Sequence, residues 1–335
     1  MEHKSIMVNR QIVVLFRDGR AMSVLVGPKH SIQHSAMTKQ RNALLVVCAY
    51  NEAGTLPMLL DAVGNQDVLV VDDGSIDGTS KLVTESGAVL LIHPRRLGKS
   101  VSLQDALDYA NTNGYKTVLE IGADAVPAPN AVNALLNALV PDEVGGASAW
   151  QIPLGPRNVA YFIDEVIWSL LNHGKRAQQG LSGSCHTGGV MYSFKIGYAS
   201  RVSGAINDDE QLCIMLRDRG LKTVLVENAV VYFDASSSIG HIIQRRRRMI
   251  TGHLTYSRST APSMDFAALG IAVLSSLREK PRRLLWIVPA IALEAVSRLL
   301  AWRDTRIPAA LDRSRHWVTT YAKNRNLHPF NSTNR

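Results

Sequence analysis

Aromatic residues make up only 6% of this 335-residue chain, cysteine occurs three times, and acidic residues (28) are outnumbered by Lys and Arg (37). The basic clusters have no recognition helix, zinc spacing or aromatic stacking platform beside them, which argues against a nucleic-acid partner. Cys48, Cys185 and Cys213 are odd in number and lack metal-ligand spacing, so they read as buried thiols in a reducing compartment rather than a disulfide framework. The absence of a Gly-x-Ser-x-Gly elbow removes a Ser/His/Asp hydrolase. Met1 to Ser5 show no charged-then-apolar leader pattern, so the catalytic part is expected to stay in the cytoplasm. Internal repeats and low-complexity tracts are also missing.

What is present suits a globular enzyme: hydrophobic content is 46% and the length allows one elaborated α/β domain or two smaller ones. The apolar run Leu44 to Val47 leads into Cys48-Ala49-Tyr50-Asn51-Glu52, and a second run, Val68 to Val71, leads into Asp72-Asp73-Gly74-Ser75-Ile76-Asp77-Gly78-Thr79. Continuous Val/Leu runs mark strands buried on both faces, and Leu56, Leu59, Leu60 and Val63 between them fall at helical spacing. The unit is βαβ. In an open parallel sheet, ligands bind outside the carboxyl ends of the strands, so Tyr50, Asn51, Glu52, Asp72 and Asp73 should share one rim. A turn that caps the helix beginning near Thr79 would also use Asp and Ser, but two adjacent acids exceed that need.

These residues resemble the family 2 glycosyltransferases, and the resemblance extends over residues 42 to 255. Leu97-Gly98-Lys99, Gly122-Ala123-Asp124 with Val126-Pro127, Asp208-Asp209, and Gln244 to Arg248 follow in the family's order. It implies a GT-A-type α/β fold: a mostly parallel, Rossmann-like sheet flanked by helices. It further implies transfer of a single sugar, a hexosyl group, from a nucleotide sugar, UDP-linked by preference, with inversion in one displacement. On this resemblance Asp73 accepts a hydrogen bond from the base, Tyr50 and Glu52 border the nucleoside, Cys48 offers backbone contacts, and Asp72 supports them. Lys99 reaches phosphate or base. Gly122-Ala123-Asp124 occupies the family's Asp-x-Asp position, so Ala123 lines the donor and Asp124 carries the metal, Mg²⁺ or Mn²⁺. Gly122 lacks the first carboxylate, which weakens the ribose or metal contact, and Glu120 is expected to face away from the site.

Asp209 aligns with the catalytic base, although Asn207 as N-cap and Glu210 at capping-box spacing would explain the same acids locally. Gln244 and Arg247, at i and i+3, would address the diphosphate together, and Arginine suits that role through its bidentate fork. Arg248 stands where the family has tryptophan, which argues against a processive synthase. Arg245, Arg246 and Arg248 also read as a surface run facing lipid. His186, in a glycine-rich loop, either faces the acceptor or is structural.

The expected layout is an N-terminal hairpin and linker (1–41), a transferase domain (42–258; nucleotide half 42–140, acceptor half 141–258) and a C-terminal helical region (259–335). The hairpin follows from Ile12, Val14 and Phe16, the Asp18-Gly19 turn, then Val24 and Val26. The stretch from Asp142 to Ala205 is broken by glycine and proline around one helical stretch, Ile163 to Leu171, and is assigned to acceptor recognition; strands are expected beyond it at Thr223 to Val226 and Val230 to Phe233. In the tail, Phe266 to Leu277 is short for a bilayer, and Leu284 to Trp302 contains Pro289, Glu294 and Arg298. With Arg278, Lys280, Arg282, Arg283, Trp286 and Trp302 nearby, it reads as a helix at a membrane interface, or as one packed on the protein or on a second copy in a homo-oligomer. Partners implied are a nucleotide-sugar donor, a carbohydrate or lipid-linked acceptor, and a membrane surface on the cytoplasmic side. Two rivals stand beside this reading: a nucleotidyltransferase on a related fold, and a nucleotide-sugar-binding scaffold impaired by Gly122.

Overall fold

The computed structural model describes residues 12–17, 20–25, 42–199, 201–202, 204–256 and 266–307. The Asp18-Gly19 turn, Val26 and nearly all of the linker lie outside the described residues. Two short strands, β1 (Ile12–Arg17) and β2 (Arg20–Leu25), pair antiparallel as the alternation predicts. The nucleotide half then runs β3 (Ala43–Ala49), α1 (Leu56–Val63), β4 (Val68–Asp72), α2 (Thr79–Ser86), β5 (Val89–Ile92), α3 (Lys99–Thr112) and β6 (Thr117–Ile121). Beyond it come β7 (Ala125–Pro127), α4 (Ala131–Asn137), β8 (Val144–Leu154), α5 (Val159–Ser182), β9 (Met191–Lys195), α6 (Asp208–Arg217) and β10 (Lys222–Asp234). Three helices finish the described chain: α7 (Ile239–Tyr256), α8 (Phe266–Glu279) and α9 (Leu284–Asp304).

The strands form one sheet in the order β1-β2-β5-β4-β3-β6-β9-β8-β10-β7. β5, β4, β3 and β6 are mutually parallel, as are β8 and β10; β9 joins the two parallel sets by antiparallel pairing on both sides. Alternate residues of each central strand enter different cores. Leu45, Val47, Val68 and Val70 pack with α1 and α4, whereas Leu44, Val46, Leu69 and Val71 pack with α3 and α6. Both sheet faces are thereby covered, which is why these strands read as continuous apolar runs.

The region from Asp142 to Ala205, expected to be irregular around one helix at Ile163 to Leu171, is more regular than that. It contains the 11-residue β8 and the 24-residue α5. Gly145 and Gly146 open no turn there; a Cβ would sit 2.8 and 2.9 Å from the Leu221 and Leu216 side chains, so glycine lets α6 and its following turn approach the strand. The two strands expected at 223–226 and 230–233 are one strand, β10, with a register shift between Val226 and Val230.

α8 and α9 pack on α5 and α7 around Ile163, Val166, Ile167, Ile242, Ile287 and Leu293. The four arginines of α7 fan out to separate partners rather than forming a surface run. Arg245 pairs with buried Asp164, Arg246 grips Glu294 (2.8 and 2.9 Å), Arg247 takes both oxygens of buried Asp304, and Arg248 donates to the Ile206 carbonyl (3.0 Å). Glu294 also pairs with Arg298 at i+4 (3.0 Å). Lys280 and Arg283 both go to Glu165, so half of the tail's basic cluster is neutralised internally. The outer face of α9 remains apolar and exposed at Leu284, Leu285, Val288, Ile291 and Leu299. Residues Pro281–Asp304 are long and apolar enough to cross a bilayer, with a mean hydropathy of 1.8.

Candidate active site

The carboxyl ends of β3, β4 and β6, the loop before β9, the N-terminus of α6 and one face of α7 surround a cavity of about 240 Å³. Two loops of its rim are tied together by Asn51, a left-handed residue (φ 56°) whose side-chain oxygen accepts from Ile76 N (3.0 Å) while its own N donates to Ser75 Oγ (2.8 Å). Asparagine tolerates that backbone better than branched residues do. Asp72 and Asp77 are the supporting acids. Asp72 accepts from Ser75 N (2.8 Å) and from Ser80 Oγ, and Asp77 accepts from Ala53 N and from both the N and Oγ1 of Thr79.

Asp73 is buried and lines the cavity, but its oxygens also hold the next loop in place. Oδ1 accepts from Leu97 N (2.7 Å) and His93 Nδ1 (2.8 Å), and Oδ2 accepts from Gly98 N (2.8 Å). Gly98, at φ 100°, allows the turn that brings both amides to one carboxylate. His93 spans Asp73 and Asp105 (2.9 Å). Burial opposes its charge, but Asp105 and Asp73 outweigh burial and push its pKa up to about 9. Tyr50, Glu52 and Cys48 line the same wall, with the Arg96 guanidinium 4.2 Å above the Tyr50 ring.

Lys99, at the start of α3, sits between Glu120 Oε1 (3.3 Å) and Asp208 Oδ2 (3.4 Å). Burial disfavours its charge, yet Asp208 and Glu120 together raise its pKa. Tyr192 donates to Asp208 Oδ2 at 3.1 Å. Glu120 therefore does not face away. It lines the cavity at 1% exposure, and burial, opposed by Lys99, pushes its pKa up to about 7. Strand parity was the signal, since positions 120 and 122 differ by two and so share a face.

Gly122, Ala123 and Asp124 also line the cavity. A Cβ at Gly122 would meet Asp124 Oδ1 at 3.1 Å, so glycine leaves that carboxylate room beside the strand end. Among the described residues, no group of three or more His, Cys, Asp or Glu side chains converges as a metal cage. A divalent cation here would take one carboxylate, from Asp124, with the remaining ligands from substrate phosphates and water, a set that Mg²⁺ and Mn²⁺ chemistry accepts.

Asp208 and Asp209 are not explained by helix capping. Asn207 makes no side-chain cap and instead donates to the Met249 carbonyl of α7 (2.8 Å), while Glu210 turns to two histidines. Asp209 lines the cavity, with Oδ2 accepting from Gly189 N (3.1 Å) and Oδ1 from Glu210 N (2.9 Å). Gly188 is required beside it, because at φ 139° a Cβ would collide with the Asp209 carboxylate. Buried Lys175 holds the same loop by donating to the Gly188 carbonyl (2.7 Å). His186 Nε2 and His253 Nδ1 (3.2 Å) both donate to Glu210 Oε2, and the two rings meet edge to face at 5.9 Å. Burial works against the Glu210 carboxylate, but the histidines hold its pKa well below the usual range.

The α7 expectation needs correction. Gln244 is exposed and Arg247 is spent on Asp304; neither lines the cavity. The face of α7 that does carries Arg245, Arg248, Met249 and His253. Spacing alone gave no signal for this, because the side turned inward is set by α9 gripping Arg246 and Arg247.

Comparison with known proteins agrees with this geometry. The family model described as glycosyl transferase family 2 matches residues 44–196. Polyprenol monophosphomannose synthase of Mycolicibacterium smegmatis is 30% identical over 112 residues, 30% of this chain and 41% of that protein. Undecaprenyl-phosphate mannosyltransferase of Micrococcus luteus is 32% identical over 105 residues, 29% of this chain and 43% of that protein. The match thus spans less than half the length of these curated relatives. Among solved structures, a mannosyltransferase of Pyrobaculum calidifontis in complex with GDP-Man and Mn²⁺ aligns with a TM-score of 0.51 at 20% identity, over 83% of this chain and 87% of that one. That likeness concerns the fold, a GT-A arrangement. The strand-end rim and the matched segment, residues 44–196, together make this chain similar to glycosyl transferase family 2 over somewhat less than half of its length.

Proposed function

We propose that the protein transfers one sugar from a nucleotide-sugar donor to a lipid-linked acceptor at the cytoplasmic surface of a membrane. The observation that carries this reading is the convergence of Asp73, Asp124 and Asp209, from three distant parts of the chain, on one cavity. In it the base and ribose lie along Cys48, Tyr50, Glu52 and Asp73, and the diphosphate lies between Lys99 and Asp124. A divalent metal, Mg²⁺ or Mn²⁺, bound through Asp124 would supply charge neutralisation for the departing diphosphate. Arg96, above the Tyr50 ring, adds positive charge on the donor side, in place of the Gln244 and Arg247 pair. Asp209 takes the proton of the acceptor, its carboxylate aimed by Gly189 N. Attack opposite the leaving group inverts the anomeric carbon.

The names of the curated relatives favour a mannosyl group and a polyprenyl phosphate acceptor. The solved mannosyltransferase that shares the fold holds GDP-Man, which sets a GDP-linked donor beside the UDP preference expected from the sequence. The exposed apolar face of α9 supports the membrane surface as the place of reaction.

The test is to incubate purified full-length protein with GDP-mannose and with UDP-hexoses, with and without Mn²⁺, following nucleoside diphosphate release and any nucleotide sugar retained, by mass spectrometry. Release that needs a metal and an acceptor is expected. Binding without turnover under every condition would instead support the scaffold alternative.

A further inference from the structure

We propose that His186 and His253, joined through Glu210 and assisted by Arg248, form the docking site for a phosphate monoester on the acceptor, immediately beside Asp209. This deepens the reading above and rests on it.

Both imidazoles line the cavity, on the side of α6 and α7 and away from the wall formed by Tyr50 and Asp73. Each spends one ring nitrogen on Glu210, whose carboxylate is 3% exposed. Glu210 therefore fixes both rings at one edge and leaves His186 Nδ1 and His253 Nε2 without a bonded partner among the described residues. In the imidazolium form both ring nitrogens donate, so a bound phosphate would meet an N–H group at each of those positions. Arg248, one helical turn before His253 on the cavity face of α7, adds a third cationic group. Three convergent donors of this kind match a phosphate, which presents several acceptor oxygens to charge-assisted hydrogen bonds.

Nothing in the donor assignment uses them. Arg96 and Lys99 line the cavity from the loop after β5 and the start of α3, whereas His186, His253 and Arg248 line it from the loop before β9 and from α7, so its cationic groups come from two parts of the wall. Two anions, the donor diphosphate and a second phosphate, account for both. α7 also links this second region to the lipid side: its opposite face holds α9 through Arg246 and Arg247, and α9 turns its exposed apolar residues outward. A phosphate at the end of a prenyl chain would reach the histidines while its tail lies along those helices.

The bonds balance without a further reactant. A phosphate oxygen forms the bond to the anomeric carbon as the bond from that carbon to the β-phosphate oxygen breaks, the electron pair leaving with the nucleoside diphosphate. A monoanionic phosphate gives its remaining proton to Asp209; a dianionic one has none to give.

The test compares citronellyl phosphate with citronellol as acceptors, using the full-length wild-type protein and the His253→Gln, His186→Gln and Arg248→Met variants, with nucleoside diphosphate affinity measured by calorimetry in parallel. Wild type should use the phosphate and not the alcohol. Each variant should raise the KM for citronellyl phosphate about tenfold, the loss of one charge-assisted hydrogen bond, with nucleotide affinity within about twofold of wild type. An unchanged KM in all three variants would overturn the assignment, as would nucleotide affinity falling in step with it. Wild type that binds nucleotide but ignores citronellyl phosphate refutes this inference alone; wild type that binds no nucleotide refutes the transferase reading beneath it.

Discussion

The β3, β4 and β6 rim and the α7 wall face the same cavity, yet they owe their orientation to different things. On the rim, a side chain's direction follows from strand parity and from where the strand ends, both local properties. Asp73 and Asp124 stand where the sequence puts them because their strands are buried on both faces and can pair in only one register. On α7, four consecutive arginines cover more than a full turn, so any two of them can face inward. Which two do is settled by Glu294 and Asp304 on a helix some 50 residues later in the chain. Position in a strand is legible from neighbours; the face of a helix is legible only from its tertiary partners.

Substituting a residue on each side sharpens that contrast, and the largest effect belongs to the residue where rim and wall meet. Asp209→Asn should lower kcat about 10²- to 10⁴-fold with a hydroxyl or monoanionic acceptor, while donor affinity changes little. Retained turnover would remove the base assignment.

On the rim, the next effect is pH-dependent. His93 has its pKa raised from 6.5 to about 9, so its contribution is fully present below pH 6.5 and is lost as pH rises through about 9. Thermal unfolding of wild type should show that loss. His93→Gln should abolish the dependence and be less stable at pH 6 by up to about 3 kcal/mol. Nucleotide affinity should fall with it, because His93 steadies the Asp73 carboxylate that holds Leu97 and Gly98. A pH-flat wild type between 6 and 10 would contradict this account of the loop.

For the wall, Arg247→Met should destabilise the protein by about 1 to 3 kcal/mol, since it leaves the buried Asp304 carboxylate unpaired, and should leave nucleotide affinity intact. Weakened nucleotide binding at unchanged stability would restore the sequence expectation for Arg247. Smaller still is the effect on the lipid side. Leu285→Glu with Val288→Glu should abolish co-sedimentation with anionic vesicles without altering nucleotide affinity, whereas a wild-type chain that never sediments with vesicles would remove the membrane surface from the proposal.

Much of the molecule was legible beforehand. Strands expected near 44–48, 68–72, 88–92 and 117–121 occur at 43–49, 68–72, 89–92 and 117–121, because uninterrupted Val and Leu runs have few other ways to be buried. The reading failed where glycine serves close approach rather than a turn, as at Gly145 and Gly146, and so concealed β8. Glu120, expected to face away from the site, is turned into the cavity by its parity with Gly122 and by its partner Lys99. Glu210 looked like half of a capping box, but the histidines that hold it come from a loop 24 residues earlier and from α7, distances at which sequence spacing carries no information.

Hydrogen–deuterium exchange of the full-length protein, with and without saturating nucleotide sugar and Mn²⁺, tests the convergence most directly. The account predicts simultaneous protection of the segments around 72–79, 97–100, 121–125 and 186–190, together with the start of α6 at 207–210. Protection confined to the first two segments, with 121–125 and 207–210 unchanged, would contradict it.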